Sequence, residues 1–173
     1  MKFYYSLTCL AIALLAGCTP EPEIVVFSSP DGRYKISADR SWEQIETAHP
    51  AIIEITKNES LNITVMCLPL DPLRDLSSSE ILDKVFESTK GRMSVHIIHP
   101  KKSQIKDGLD TSAMIFDVMK VVDKESIVTR LVLSATKNET DVISVLTGCE
   151  GKDIPDGLFE VMEVANTLNI NGN

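Results

Sequence analysis

TSAMIFDVMKVVDKESIVTRLVLSATKNETDVISVLTGC, residues 111–149, holds three runs of extended-chain period separated by two short polar breaks. The breaks are Asp123-Lys124-Glu125 and Lys137-Asn138-Glu139-Thr140. They are too polar to be core and short enough to be hairpin turns. Valine, isoleucine, threonine and phenylalanine crowd the runs between them, as a pleated surface favours. Three successive strands with short polar turns read as an antiparallel meander. Both parities of the first run are apolar: Met114, Phe116 and Val118 alternate with Ala113, Ile115 and Met119. A sheet with one wet face alternates apolar with polar, so here both faces are expected to be covered, by helices on one or both sides.

Upstream, the same period recurs. EIVVF and RYKIS flank the turn signal Pro30-Asp31-Gly32, which predicts a first hairpin. AIIEITK and LNITVMCL flank Asn58-Glu59-Ser60 and predict a second. In the latter strand Leu61, Ile63, Val65 and Cys67 share one face, while Asn62 and Thr64 point the other way. SVHIIH reads as a further strand, followed by a basic turn at Lys101-Lys102. Two segments have helical period. Ser77 and Glu80 have capping-box spacing, and Ile81, Leu82, Val85 and Phe86 make one apolar stripe that ends near Gly91. The second helix follows Pro155, with Leu158, Phe159, Met162, Ala165 and Leu168 on its apolar side. A shorter helical turn is expected around Trp42 and Ile45. The mixture predicts an α+β domain, an antiparallel sheet of about six to eight strands with helices packed on it.

The N-terminus carries a different signal. Lys2 gives a weakly positive start, and Leu7 to Ala16 are almost wholly apolar. Phe3 to Gly17 is shorter than the roughly 20 residues of a membrane span, so the run reads as a secretory signal. It ends Leu15-Ala16-Gly17-Cys18, which resembles the lipobox of bacterial lipoproteins. The resemblance implies that the Cys18 thiol takes up a diacylglyceryl group and that cleavage precedes it, leaving an amine open to acylation with a palmitate-type chain. Two or more chains anchor stably. Thr19 in place of an aspartate resembles outer-membrane sorting if the host is Gram-negative. The chain thus divides into a signal peptide at 1–17, a lipidated cysteine with a short tether at 18–23, and one domain at 24–173. The expected location is the cell envelope, on the extracytoplasmic side of a membrane.

Without Lys2 the mature chain has 16 basic residues against 25 acidic ones, a net charge of −9. Such a field excludes binding to nucleic acid or anionic headgroups through overall charge. Cys9 leaves with the signal and Cys18 is claimed by lipid, so Cys67 and Cys149 remain. In an exported domain this pair is a candidate disulfide, the alternative being two separately buried thiols.

The order of elements, with the aromatic-strand-then-Trp stretch YKISADRSW, resembles the PsbP-like fold over roughly Asp31 to Ile170. That fold also occurs in DcrB-type bacterial lipoproteins and in a yeast import factor that binds a small GTPase. Members often carry a proline in the link where this chain holds Ala38. The resemblance implies a binding or assembly role rather than catalysis.

Catalytic patterns are sparse. His96 and His99 would share a helical face but sit on opposite faces of a strand, and His49 lies in a turn segment. Asp71, Arg74 and Asp75, Asp107 and Asp110, and Glu150, Asp153 and Asp156 form acidic clusters without the spacing of a calcium loop. Turn formation and helix capping explain them more simply. Serines 77 to 79 have no histidine in their motif and read as a helix start. HPKKSQIK concentrates Lys101, Lys102 and Lys106 on an acidic domain, as a solvated tip or a contact to an acidic partner or headgroup. Three sequons, at Asn58, Asn62 and Asn138, read as turn and strand residues.

The expectation is a non-enzymatic lipoprotein that binds a protein partner, with no cofactor and no metal. The alternatives are a small-ligand or metal carrier and an enzyme whose catalytic residues are scattered in sequence. A deep pocket with converging titratable groups marks the enzyme, a dry cavity or an oxygen-lined site marks the carrier, and a patch on a sheet edge or helix face with neither of these marks the binding module.

Overall fold

Residues 111–149 form the predicted meander, lengthened at its start: β8 (Leu109–Val122), β9 (Glu125–Lys137) and β10 (Val142–Glu150) pair antiparallel in sequence. The computed structural model describes residues 22–170, except Ala48, Pro50, Arg92, Asp107, Gly108, Asp123, Lys152 and Asp153, with Lys106 and Val122 described by backbone alone. The signal, the lipobox with Cys18, and most of the tether lie outside the described residues.

Both predicted hairpins form: β1 (Ile24–Ser28) with β2 (Tyr34–Asp39), and β4 (Ala51–Lys57) with β5 (Leu61–Leu68). Asn58 and Glu59 close the second one in the left-handed region, at φ 53° and 60°. Asparagine tolerates that region better than most residues. A 3₁₀ turn (Asp71–Leu73) leads to α1 (Ser78–Lys90). Ser77 and Glu80 complete the capping box from both sides. Then follow β6 (Val95–Ile98) and β7 (Lys102–Lys106), and, after the meander, α2 (Ile154–Ala165) and β11 (Asn169–Ile170).

With β3 (Glu43–Gln44) at one edge, the main sheet runs β3-β4-β5-β10-β9-β8-β6, and β7 pairs the other half of β8. A small sheet of order β1-β2-β11 stands beside it. Both faces of the main sheet are covered, and β10 divides the two cores. Ile143, Val145 and Cys149 join Leu61, Ile63 and Val65, α2, and the small sheet's Phe27, Tyr34 and Ile36. Val142 on the opposite parity joins α1's Ile81, Leu82 and Phe86 with Met114, Phe116, Leu131 and Leu133. Each helix covers only half a face: α1 rests on β8 and β9, and α2 mainly on β10 and β5.

Four expectations need correction. The segment at Trp42 is no helical turn but a two-residue strand, β3 (Glu43–Gln44), pairing Thr56 and Ile55. Trp42 is buried and Ile45 exposed, so they do not share a packed face. Lys102 belongs to a strand rather than a turn, because β8 is long enough to pair two short strands along one edge. On α2 the buried stripe is Gly157, Val161 and Val164, with Leu158 and Ala165 at its flanks; Leu168 packs on the same core from beyond the helix end, and Phe159 faces outward, 66% exposed.

The fourth is the disulfide. Cys67 and Cys149 lie on neighbouring strands and border one core, as parity implied, but they are not bridged. Cys67 pairs Ile143 and Cys149 pairs Leu61, which sets the cysteines six residues apart along the strands. At about 3.3 Å per residue that is roughly 20 Å. A disulfide needs Cα atoms within about 7 Å.

Candidate binding groove

Several of the predicted polar candidates are occupied in holding the fold. Asp110 receives the Ser78 amide at 2.8 Å and its hydroxyl at 2.6 Å, fixing the start of α1 to β8. The hydroxyls of Ser78, Ser112 and Ser103 continue the chain in steps of 2.7 Å. Ser77 caps, and Ser79 accepts from Lys101. These contacts join hydroxyls to a carboxylate and a lysine, and Ser77 caps the helix that Ser78 and Ser79 begin. Asp71 pairs with Arg74. Asp107 and Asp153 lie outside the described residues. His49 and His96 are exposed and His99 is half-buried. Among the described residues no group of three or more His, Cys, Asp or Glu is placed to hold a metal ion.

Two charged pairs are built into the sheets. Arg33 Nη2 donates to both carboxylate oxygens of Asp141 at 2.8 and 2.7 Å, tying the small sheet to the turn before β10. Beside it burial, and then the Cys67 hydrogen bond, pushes the Tyr34 hydroxyl far above its usual value. On β8 and β9, Arg130 donates to Asp117 from Nε at 2.8 Å and Nη2 at 2.9 Å. These hydrogen bonds hold the Asp117 carboxyl below its ordinary 3.8, against the burial that pushes it up, while His99 and His96 add a smaller lowering. A depressed carboxylate contributes stability that is fully present above the unfolded value and lost as pH falls through the folded one. The melting temperature is therefore expected to fall on acidification below about pH 4. Asp117→Asn should be less stable at neutral pH and lose less on acidification, as circular-dichroism melts at stepped pH will read.

An apolar hollow follows from the half-coverage of the sheet. Because α1 rests on β8 and β9, the β5 side chains on its side of the sheet are left without a helix above them. Met66 and Leu68 floor a hollow walled by Pro69, Pro72 and Leu73 before α1 and by Ile81, Val85 and Thr89 on it, with Met93 at one end. Its volume is about 480 Å³. Lys84 and Ser88 supply the other polar side chains, and among the described residues no carboxylate, imidazole or thiol lines it. Such a lining buries an apolar group and fixes its orientation at one rim; it holds no acid–base pair. A second hollow of about 350 Å³ lies on the other face beside α2, lined by Gln104, Thr111, Ser134, Thr136 and Thr147 as well as Met162 and Leu168.

The groove is absent from the sequence reading. Its one signal was Met66 and Leu68, apolar residues on the parity of β5 that Asn62 and Thr64 marked as polar. An apolar turn in parity within one strand, followed by Leu70 and Leu73, marks a second buried surface.

No protein-family model matches the chain, and no curated protein matches it. Solved structures do. The solution structure of cyanobacterial PsbP (CyanoP) from Synechocystis is similar at TM-score 0.62 and 15% identity, covering 89% of this chain and 96% of that one. The Ran-binding protein Mog1p of Saccharomyces cerevisiae is similar at TM-score 0.55 and 10% identity, covering 86% and 96%. A Bacteroides thetaiotaomicron protein reaches 0.50 at 13% identity, covering 86% of this chain and 48% of that one. At these identities the likeness is one of fold: the domain is PsbP-like.

Proposed function

We propose that the chain is a lipid-anchored, extracytoplasmic binding or assembly module that performs no catalysis and holds a protein partner in the groove between α1 and β5. The groove carries the reading. Methionines at both its floor and its end, Met66 and Met93, adapt to a partner's side chains, and Val85 and Leu73 give it an apolar wall. An amphipathic helix with apolar residues at i, i+3 and i+4 fits such a cleft between a helix and a strand. The Ran-binding yeast protein of similar fold lends support, since its scaffold serves recognition of another protein. The sequence supplies the anchor: the lipobox at Leu15 to Cys18, with a tether of about five residues that keeps the domain within roughly 17 Å of the bilayer. Among the described residues no helix is long and apolar enough to cross a membrane.

The test is site-specific photo-crosslinking in intact envelopes. A photoreactive residue at Ser88, on the groove wall, is expected to trap a discrete protein adduct. The same residue at Lys35, exposed on the small sheet, should not. Val85→Glu should abolish the adduct, because an ionised carboxylate would have to be desolvated beneath the partner. Adducts of equal yield at both positions, or co-purification of a small apolar molecule from the groove, would favour the carrier reading instead.

A further inference from the structure

The outer edge of β7 carries a second message, independent of the groove. Its five residues pair β8 from Lys102↔Ala113 to Lys106↔Leu109, and among the described residues β7 pairs no other strand. Its outward row of backbone donors and acceptors is therefore a template for another strand. Ile105 is 80% exposed, the most exposed of the large apolar side chains described. Ile97 and Ile98 on neighbouring β6 are also exposed. Proteins usually blunt such an edge, and lysine is a common means. Here the lysines also set the charge that an added strand would meet. The segment His99–Lys106 holds Lys101, Lys102 and Lys106 and no acid, in a chain of net charge −8. Lys101 is engaged by Asp83 on α1 at 2.7 Å, while Lys102 is exposed on the edge strand. A second copy pairing edge to edge would set this basic strand against its like, which is unfavourable. An acidic strand would meet it with opposite charge, at about 0.2–1 kcal/mol per pair. The alternation gives the pattern. Lys102, Gln104 and Lys106 share one parity, and Ser103 and Ile105 the other.

We propose that the β7 edge is a strand-addition site for an extended acidic segment of a protein partner, with Asp or Glu at alternate positions in register with Lys102, Gln104 and Lys106 and apolar residues between them against Ile105. Main-chain hydrogen bonds supply most of the affinity, and the two lysines and the isoleucine supply the choice.

The probe is an acetylated, amidated hexapeptide of alternating glutamate and valine, titrated into the full-length protein in neutral detergent micelles. Amide resonances of residues 102–106 are expected to shift saturably and to exchange more slowly with solvent. The double variant Lys102→Glu, Lys106→Glu should bind at least about fivefold more weakly, the scale of two reversed cross-strand charge pairs. High salt should weaken the wild type toward the variant. Equal binding of a lysine–valine peptide, or shifts centred on Val85 and Met66 instead of β7, would overturn the proposal. So would the variant's losing affinity for anionic vesicles while the peptide leaves β7 unperturbed, since the site would then read headgroups.

Discussion

Phe116→Ala is expected to destabilise the domain by about 3–5 kcal/mol, a large share of the 5–15 kcal/mol that holds a typical domain together. Phe116 is fully buried in the centre of β8. Its ring meets Phe86 of α1 edge-to-face, centroids 5.0 Å apart and planes at 70°. Two losses combine: the transfer of a large apolar side chain, with the cavity it leaves, and an aromatic pair worth about 1 kcal/mol beyond its area. The loss falls on the contact between sheet and helix that also fixes one wall of the groove. For a domain of this length each kcal/mol moves the melting temperature by about 2–4 °C, so a drop of roughly 6–20 °C is expected in a calorimetric scan. Ile115→Ala, one residue away and on the less enclosed parity, should cost clearly less. Equal losses at both positions would mean that α1 does not organise this core.

The contrast between Phe116 and Ile115 also shows what the sequence could and could not reveal. The run 111–122 is apolar on both parities, and that alone implied two covered faces. Hairpins were legible where a turn-forming cluster interrupts period two, as at Pro30-Asp31-Gly32 and Asn58-Glu59-Ser60. The start of α1 was legible because a capping box is local chemistry between Ser77 and Glu80. What failed depended on distant partners. KKSQIK lacks an apolar period, and β7 exists because fourteen residues of β8 offer an edge longer than β6 can fill. The face of α2 was misplaced because Phe159 counted as apolar wherever it pointed, whereas the strands beneath the helix select Gly157, Val161 and Val164. For the two cysteines, parity is a property of each strand and was legible; register belongs to the pair β5–β10 and was not. The groove lies one level higher still, since it is set by where α1 crosses the sheet.

Cys18→Ala is expected to remove the lipid completely, and mass spectrometry of the N-terminal region is the measurement that reads it. The wild type should yield a peptide beginning at an acylated Cys18. The variant should yield an uncleaved precursor beginning upstream of residue 18, with no acyl mass, because it lacks the thiol proposed to take up the diacylglyceryl group. Fractionation alone does not decide the matter. The precursor keeps the apolar run Leu7 to Ala16, which can hold it at the membrane without any lipid. Release by washing separates the remaining alternatives. A chain processed before Cys18 has net charge −9 and gains nothing from anionic headgroups through its overall field, so its retention is not expected to be electrostatic. High salt should therefore leave the wild type in the membrane fraction, where two acyl chains hold it stably and one would hold it only marginally. Detergent should release it. A wild type that salt washes off, or a mature peptide with an unmodified Cys18, would remove the anchor from the proposed function. It would leave the groove and the β7 edge as properties of a domain without that anchor.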